Sequence, residues 1–133
     1  MSDSITSGSA MPESWKLVGF IAVTDATHAR EFYAGKLGLK LIEESPFALV
    51  FDCNGVMIRV TPVKELNAQR FTILGWQVSD IEQAVARLES AGVELKRYPG
   101  VPQDARGIWT APGGAKIAWF EDPDGNTLSV SQH

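Results

Sequence analysis

The chain is poor in the residues that do most enzymatic chemistry: one cysteine and two histidines in 133 residues. Cys53 alone cannot form an intrachain disulfide, so a reducing cytoplasm is the expected location. Set in an apolar run, Cys53 reads as a small core residue rather than a nucleophile. His28 falls in the first turn of an expected helix and His133 is the last residue. No Ser-His-Asp or Cys-His set can be assembled from them. Basic residues are outnumbered, 12 Lys and Arg against 16 Asp and Glu, for a formal net charge of -4. That balance gives no electrostatic reason to expect nucleic acid or an anionic membrane as partner. No apolar run approaches the ~20 residues of a membrane span. The Ser-rich start, Met1 to Pro12, lacks the apolar core of a secretory signal. Residues 1–14 are expected to be a disordered leader, with Met11 as an alternative start. Pro112-Gly113-Gly114 sits between strands with no following helix, so it is no phosphate loop.

What remains is ordinary for one globular domain, 15–133: 44% of residues are hydrophobic, enough for a real core at this length. Leu17 to Thr24 reads as a strand. Asp25 then caps a short helix with Ala29, Phe32 and Tyr33 on one face, ended by Gly35 and Gly38. Strands follow at Leu39–Ile42, Phe47–Phe51 and Val56–Thr61, the last two joined by the hairpin signal Asn54-Gly55. After the polar connector Pro62–Gln69 the order restarts. Phe71–Val78 is a strand, and Asp80 caps a helix with Gln83 at the capping-box position and Ile81, Val85 and Leu88 at helical spacing. Val93–Arg97, Ile108–Thr110 and Lys116–Phe120 are further strands, separated by the long loop Tyr98–Gly107. Asp122-Pro123-Asp124-Gly125-Asn126 turns the chain into a last strand, Thr127 to Val130.

Val23-Thr24-Asp25 matches Val78-Ser79-Asp80, Gly38 matches Gly92, and Gly55 matches Gly125. The chain is thus read as two βαβββ units, modules of about 16–62 and 71–132, in an α+β fold. One unit cannot cover both faces of its sheet; two can, with helices on the outer face and a cup on the other.

Ile21-Ala22-Val23-Thr24-Asp25 with Phe32-Tyr33 and Leu37-Gly38-Leu39, together with Trp119-Phe120-Glu121-Asp122-Pro123-Asp124-Gly125-Asn126, resemble the vicinal oxygen chelate superfamily. That superfamily includes glyoxalase I, extradiol dioxygenases and bleomycin-resistance proteins, and the likeness runs from Lys16 to Gln132. The resemblance implies paired βαβββ modules, a cup-shaped mixed sheet, a homodimer, and in many members a metal held by one His or Glu from each of four strands. The matching positions here are Val18 and Ile73, seven residues before Asp25 and Asp80, and Arg59 and Ser129, four after Gly55 and Gly125. Valine and isoleucine have no donor atom, a guanidinium repels a divalent cation, and a lone serine is a poor anchor. No bound metal and no other cofactor are expected.

Strand alternation gives the cup lining instead. Val18, Phe20 and Ala22 should face it, with Met57, Arg59, Thr61, Ile73, Gly75, Gln77, Thr127, Ser129 and Ser131. Ile21, Val23, Ile58, Val60, Leu74, Trp76, Leu128 and Val130 should pack beneath the helices. The expected ligand-binding set is Arg59, Gln77, Ser129, Phe20, Met57 and Trp109. Arg59 either anchors an anionic or carbonyl-bearing ligand or pairs with Glu43, Asp52 or Glu121. Trp109 either walls the cup or packs at an interface. Trp119 and Trp76 are assigned to the core, Arg106 to a solvated loop, and Asp122 to the turn. Two functions fit: a metal-independent small-molecule binding protein, or a divergent glyoxalase-like lyase, isomerase or dioxygenase acting on a small carbonyl or aromatic substrate.

Overall fold

The computed structural model describes residues 10–133; residues 1–9 of the expected leader lie outside the described residues. Two four-stranded mixed sheets form the body. The first has the order β1(Val18–Val23), β4(Val56–Pro62), β3(Leu49–Cys53), β2(Lys40–Glu44). The second repeats it with β5(Leu74–Gln77), β8(Thr127–Gln132), β7(Lys116–Glu121), β6(Trp109–Thr110). In each, the first strand runs parallel to the last and the rest are antiparallel. The α+β repeat is therefore present, as two separate sheets. Val93–Arg97, expected as a strand, contributes only the single bridge Leu95 to Phe120. Its neighbour's edge is otherwise occupied by β6.

Alternation decides which face is buried. Ile21, Val23, Ile58, Val60, Leu128 and Val130 are all buried in one core, with Leu74 and Trp76 packed partly against it. These residues all lie on the faces assigned to the helix side. The core is shared: Phe51 of the first sheet meets Tyr33, and Phe32 meets Phe120 of the second. A one-residue slip in β4 would exchange Ile58 and Val60 for Arg59, which the shared core could not accept.

Both caps form as the sequence indicates, with Asp25 accepting from His28 N and Asp80 from Gln83 N, ahead of α1(Ala26–Arg30) and α2(Ile81–Ser90). The turn directly after α1 has no signature in the sequence. Glu31–Lys36 is π-helical, and in it Leu37 N donates to Phe32 O at 2.9 Å. Its wider spacing lets the adjacent rings of Phe32 and Tyr33 both enter the core, edge to face at 5.1 Å.

The seam between modules is held on one side by polar groups. Tyr33 Oη donates to Asp122 Oδ2 at 2.7 Å, and Asn126 Nδ2 donates to Asp122 Oδ2 at 2.8 Å and to Ala22 O at 2.9 Å. The amides of Asp124 and Asn126 donate to the other Asp122 oxygen, and Thr24 N donates to Asp124 Oδ2 at 3.0 Å. Asp122 is 5% exposed. It is more than a turn former: it joins the last hairpin to the first helix. Burial, and then the Asp122 charge, push the Tyr33 phenol far above its ordinary range.

Candidate functional site

The faces turned away from the core carry two corresponding rows. In the first sheet Phe20, Arg59 and Val50 lie side by side on β1, β4 and β3. In the second the same places hold Gly75, Ser129 and Trp119 on β5, β8 and β7. Phe20 is 69% and Met57 40% exposed. Arg59 is half-buried between Phe20 and Val50 and makes no ion pair among the described residues. Its expected partners are engaged elsewhere or unused: Glu121 reaches Lys96 at 3.9 Å, and Asp52 accepts from Gly55 N.

The second row borders a cavity of about 480 Å³ lined by Trp119, Tyr98, Ile117, Ser129, Ser131 and His133, with Arg70 to Thr72. Ser129 is 7% exposed, and its hydroxyl accepts from Thr72 Oγ1 at 3.2 Å. It fits because β5 has no side chain beside it: a Cβ on Gly75 would stand 2.9 Å from Ser129 Oγ. His133 Nε2 lies 3.1 Å from Ser131 Oγ. Trp119 stacks on Trp109 at 6.0 Å and 29° and meets Tyr98 edge-on at 5.6 Å. The Tyr98 hydroxyl is buried without a hydrogen-bond partner among the described residues. Burial first, then Glu121, raises its pKa.

The loop behind Tyr98 is pinned by its own side chains. Gln103 Nε2 donates to Lys96 O and Gly107 O, while Gln103 Oε1 accepts from Tyr98 N. Asp104 Oδ1 accepts from the amides of Arg106 and Ile108, and the Ile108 bond is the main reason its carboxyl lies below the usual range. Arg106 is no free surface charge, since it pairs with Glu89 at 2.8 Å and Glu82 at 3.7 Å.

The expected binding set is therefore divided. Arg59, Phe20 and Met57 share the first sheet, and Ser129 sits in the second. Trp109 braces Trp119 and is not part of the cavity lining. Gln77 borders a separate groove beside α2. Trp119, assigned to the core, belongs to the outer row. Its signal was present: the Gly125 hairpin pairs Trp119 with Ser129, so an outward Ser129 requires an outward Trp119.

A family metal would need donors at Val18, Arg59, Ile73 and Ser129. The register puts Arg59 beside Phe20 and Ser129 beside Gly75, so no carboxylate or imidazole stands in either row. Among the described residues no three His, Cys, Asp or Glu side chains come together to hold a metal. This donor set does not fit the metal. No helix among the described residues is long and apolar enough to cross a membrane.

No curated protein matches the chain in sequence. Solved structures match it over nearly its whole length. The lactoylglutathione lyase from Agrobacterium tumefaciens superposes with a TM-score of 0.70 at 17% identity, covering 92% of this chain and 96% of its own. A glyoxalase family protein from Enterococcus faecalis gives 0.68 at 19%, covering 90% and 97%. A glyoxalase/bleomycin resistance protein/dioxygenase from Alicyclobacillus acidocaldarius gives 0.66 at 17%, covering 90% and 92%. Likeness at these identities establishes the fold alone. The sequence profile of the glyoxalase/bleomycin resistance protein/dioxygenase superfamily matches residues 16–130, and the chain belongs to that superfamily.

Proposed function

We propose that the protein is a metal-independent small-molecule binding protein, with the ligand held between the two outer rows and anchored by Arg59. The observation that carries this reading is Arg59 itself, a guanidinium without an ion-pair partner among the described residues, flanked by Phe20 and Val50. A cation so placed repels a divalent metal and attracts a carboxylate, phosphate or carbonyl oxygen. The second row supplies the complement, a flat indole at Trp119 and the hydroxyls of Ser129 and Ser131 around a cavity. An apolar wall with a few convergent polar groups is the common anatomy of a ligand site.

The two rows lie on different sheets, and neither the cavity beside Trp119 nor the groove beside α2 includes Arg59. We read the complete site as formed by two copies, the Arg59 row of one facing the Trp119 row of the other. Leu17, Phe20 and Met57, exposed by 77%, 69% and 40%, are the apolar surface such a homodimer would cover.

The test is a fluorescence titration with planar aromatic carboxylates, alongside glyoxalase and ring-cleavage assays with and without added divalent metal. Saturable binding, weakened at least about tenfold by Arg59→Ala, supports the reading. Unchanged affinity in Arg59→Ala removes the anchor, and activity that depends on added metal replaces binding with catalysis. Light scattering of the native chain and of Phe20→Glu tests the pairing: a dimer that Phe20→Glu splits is expected.

A further inference from the structure

A second and larger cavity lies elsewhere. A groove of about 1010 Å³ runs along α2, floored by Trp76, Phe120 and Val130 and walled by Leu39, Cys53 and Leu88. It lies at a second contact between the modules, where Trp76 of β5 meets Cys53 of β3. Eight residues past its cap, the first helical run carries Tyr33, which reaches Asp122. Eight past its own cap, α2 carries Leu88, which has no hydroxyl to offer Asp52, the residue matching Asp122 three before the turn glycine. Asn126, which ties the last hairpin to Ala22, is matched by Val56. The only side-chain hydrogen bond across the seam here, among the described residues, is Trp76 Nε1 to Cys53 Sγ at 3.1 Å. The second seam lacks the groups that close the first, and its apolar lining stays open.

The rim is polarised. At the N-terminal end of α2 the Asp80 carboxylate is used by Gln83 N. At the other end stand Lys36, whose Nζ comes near Gly92, and Arg87. Neither cation makes an ion pair among the described residues. Nor are they needed to cap the helix, because the amides of Ala91, Gly92 and Val93 already take the carbonyls of Arg87, Leu88 and Glu89. Two unpaired cations beside a half-buried indole that stacks on Phe120 at 6.4 Å and 17° favour a particular occupant.

We propose that this groove is a second ligand site, separate from the Arg59 row, for an aromatic organic anion. Its rings would lie on Trp76 between Leu39 and Leu88, with the charged group towards Lys36 and Arg87. The volume lies at the upper end of the range for drug-sized ligands, so the occupant is a small molecule of two or more rings.

The lone thiol in the wall makes the test direct. The probe is 8-anilinonaphthalene-1-sulfonate, with uncharged N-phenyl-1-naphthylamine as its partner. In the native chain the sulfonate should slow alkylation of Cys53 by iodoacetamide several-fold and quench tryptophan emission saturably. Lys36→Ala/Arg87→Ala should weaken the sulfonate about tenfold and leave the uncharged amine unchanged. Ala84→Trp should fill the groove and remove both. Trp119→Ala, on the outer row, should leave the protection of Cys53 by the sulfonate unchanged, which separates failure here from failure of the Arg59 site. Undiminished Cys53 alkylation at saturating probe overturns the proposal even if Ala84→Trp does not fold. So does loss of Cys53 protection in Trp119→Ala, or undiminished Cys53 protection by the sulfonate in the double alanine variant.

Discussion

The Tyr33–Asp122 bond is the contact whose energetics can be tested most sharply. Asp122 is 5% and Tyr33 0% exposed. The Asp122 carboxylate accepts from Tyr33 Oη, Asn126 Nδ2 and two backbone amides. Tyr33→Phe keeps the ring, its packing on Phe32 and Phe51, and the other three bonds. It removes one hydrogen bond to a charged group, worth about 1.5–3 kcal/mol. Asp122→Ala removes the acceptor and leaves the Tyr33 hydroxyl and the backbone amides of Asp124 and Asn126 without it, at about 3–5 kcal/mol, a large share of the roughly 5–15 kcal/mol of a whole domain. Once Asp122 is gone, Tyr33→Phe deletes a hydroxyl that has no partner. In the double variant its cost should fall to nearly zero or change sign. Urea unfolding of the four proteins, followed by tryptophan emission, gives the coupling energy, expected at about 1.5–3 kcal/mol. Strict additivity, with a coupling below about 0.5 kcal/mol, would refute the claim that this pair holds the hairpin to the helix.

The same phenol sets an alkaline limit. Its pKa is raised in the folded state, chiefly by burial, while the unfolded phenol ionises near ~10. Below that pH its contribution is intact; above it the unfolded state binds fewer protons, and stability should fall by about 1.4 kcal/mol per pH unit. Tyr98, also raised by burial, acts with the same sign. Urea midpoints between about pH 8 and 11 should show the decline, and Tyr33→Phe should make it shallower. Gly75→Ala should destabilise by about 1–3 kcal/mol, because the new methyl would lie 2.9 Å from Ser129 Oγ and 3.3 Å from its carbonyl oxygen. Thermal unfolding checks this, and Gly75→Ala/Ser129→Ala should recover part of the loss; an unchanged midpoint in Gly75→Ala would contradict the close approach.

Period-two patterning was strong enough to place the inner faces of β1, β4 and β8, though not to show that Val93–Arg97 would give a single bridge. Ile21, Val23, Ile58 and Val60 could go nowhere but the core once Arg59 was kept out. The turns were readable for the same local reason, since Asn54-Gly55 and Asp124-Gly125 leave the backbone few choices. The site was harder because its parts are set by register between strands remote in sequence. Trp119 looks like core until its pairing with Ser129 is worked through the hairpin. Tyr98 enters the cavity only because Gln103 and Asp104 fold a loop that has no periodicity. The seam is the extreme case: nothing near Asp122 in the sequence names Tyr33, 89 residues away. Its charge suggested a turn, and its burial makes it a joint.

The π-helical turn also marks a difference in length between the two halves. Gly38 and Gly92 both end their helical runs with positive φ, at 77° and 86°. Counted from the caps, Gly38 is thirteen residues past Asp25 and Gly92 is twelve past Asp80. The first copy of the repeat thus holds one residue more between two fixed landmarks, and the widened turn absorbs it without moving either. Deleting one residue from Glu31–Lys36 should accordingly restore a plain α-helix at the expense of the paired Phe32 and Tyr33 rings, and with them the joint that only this copy possesses.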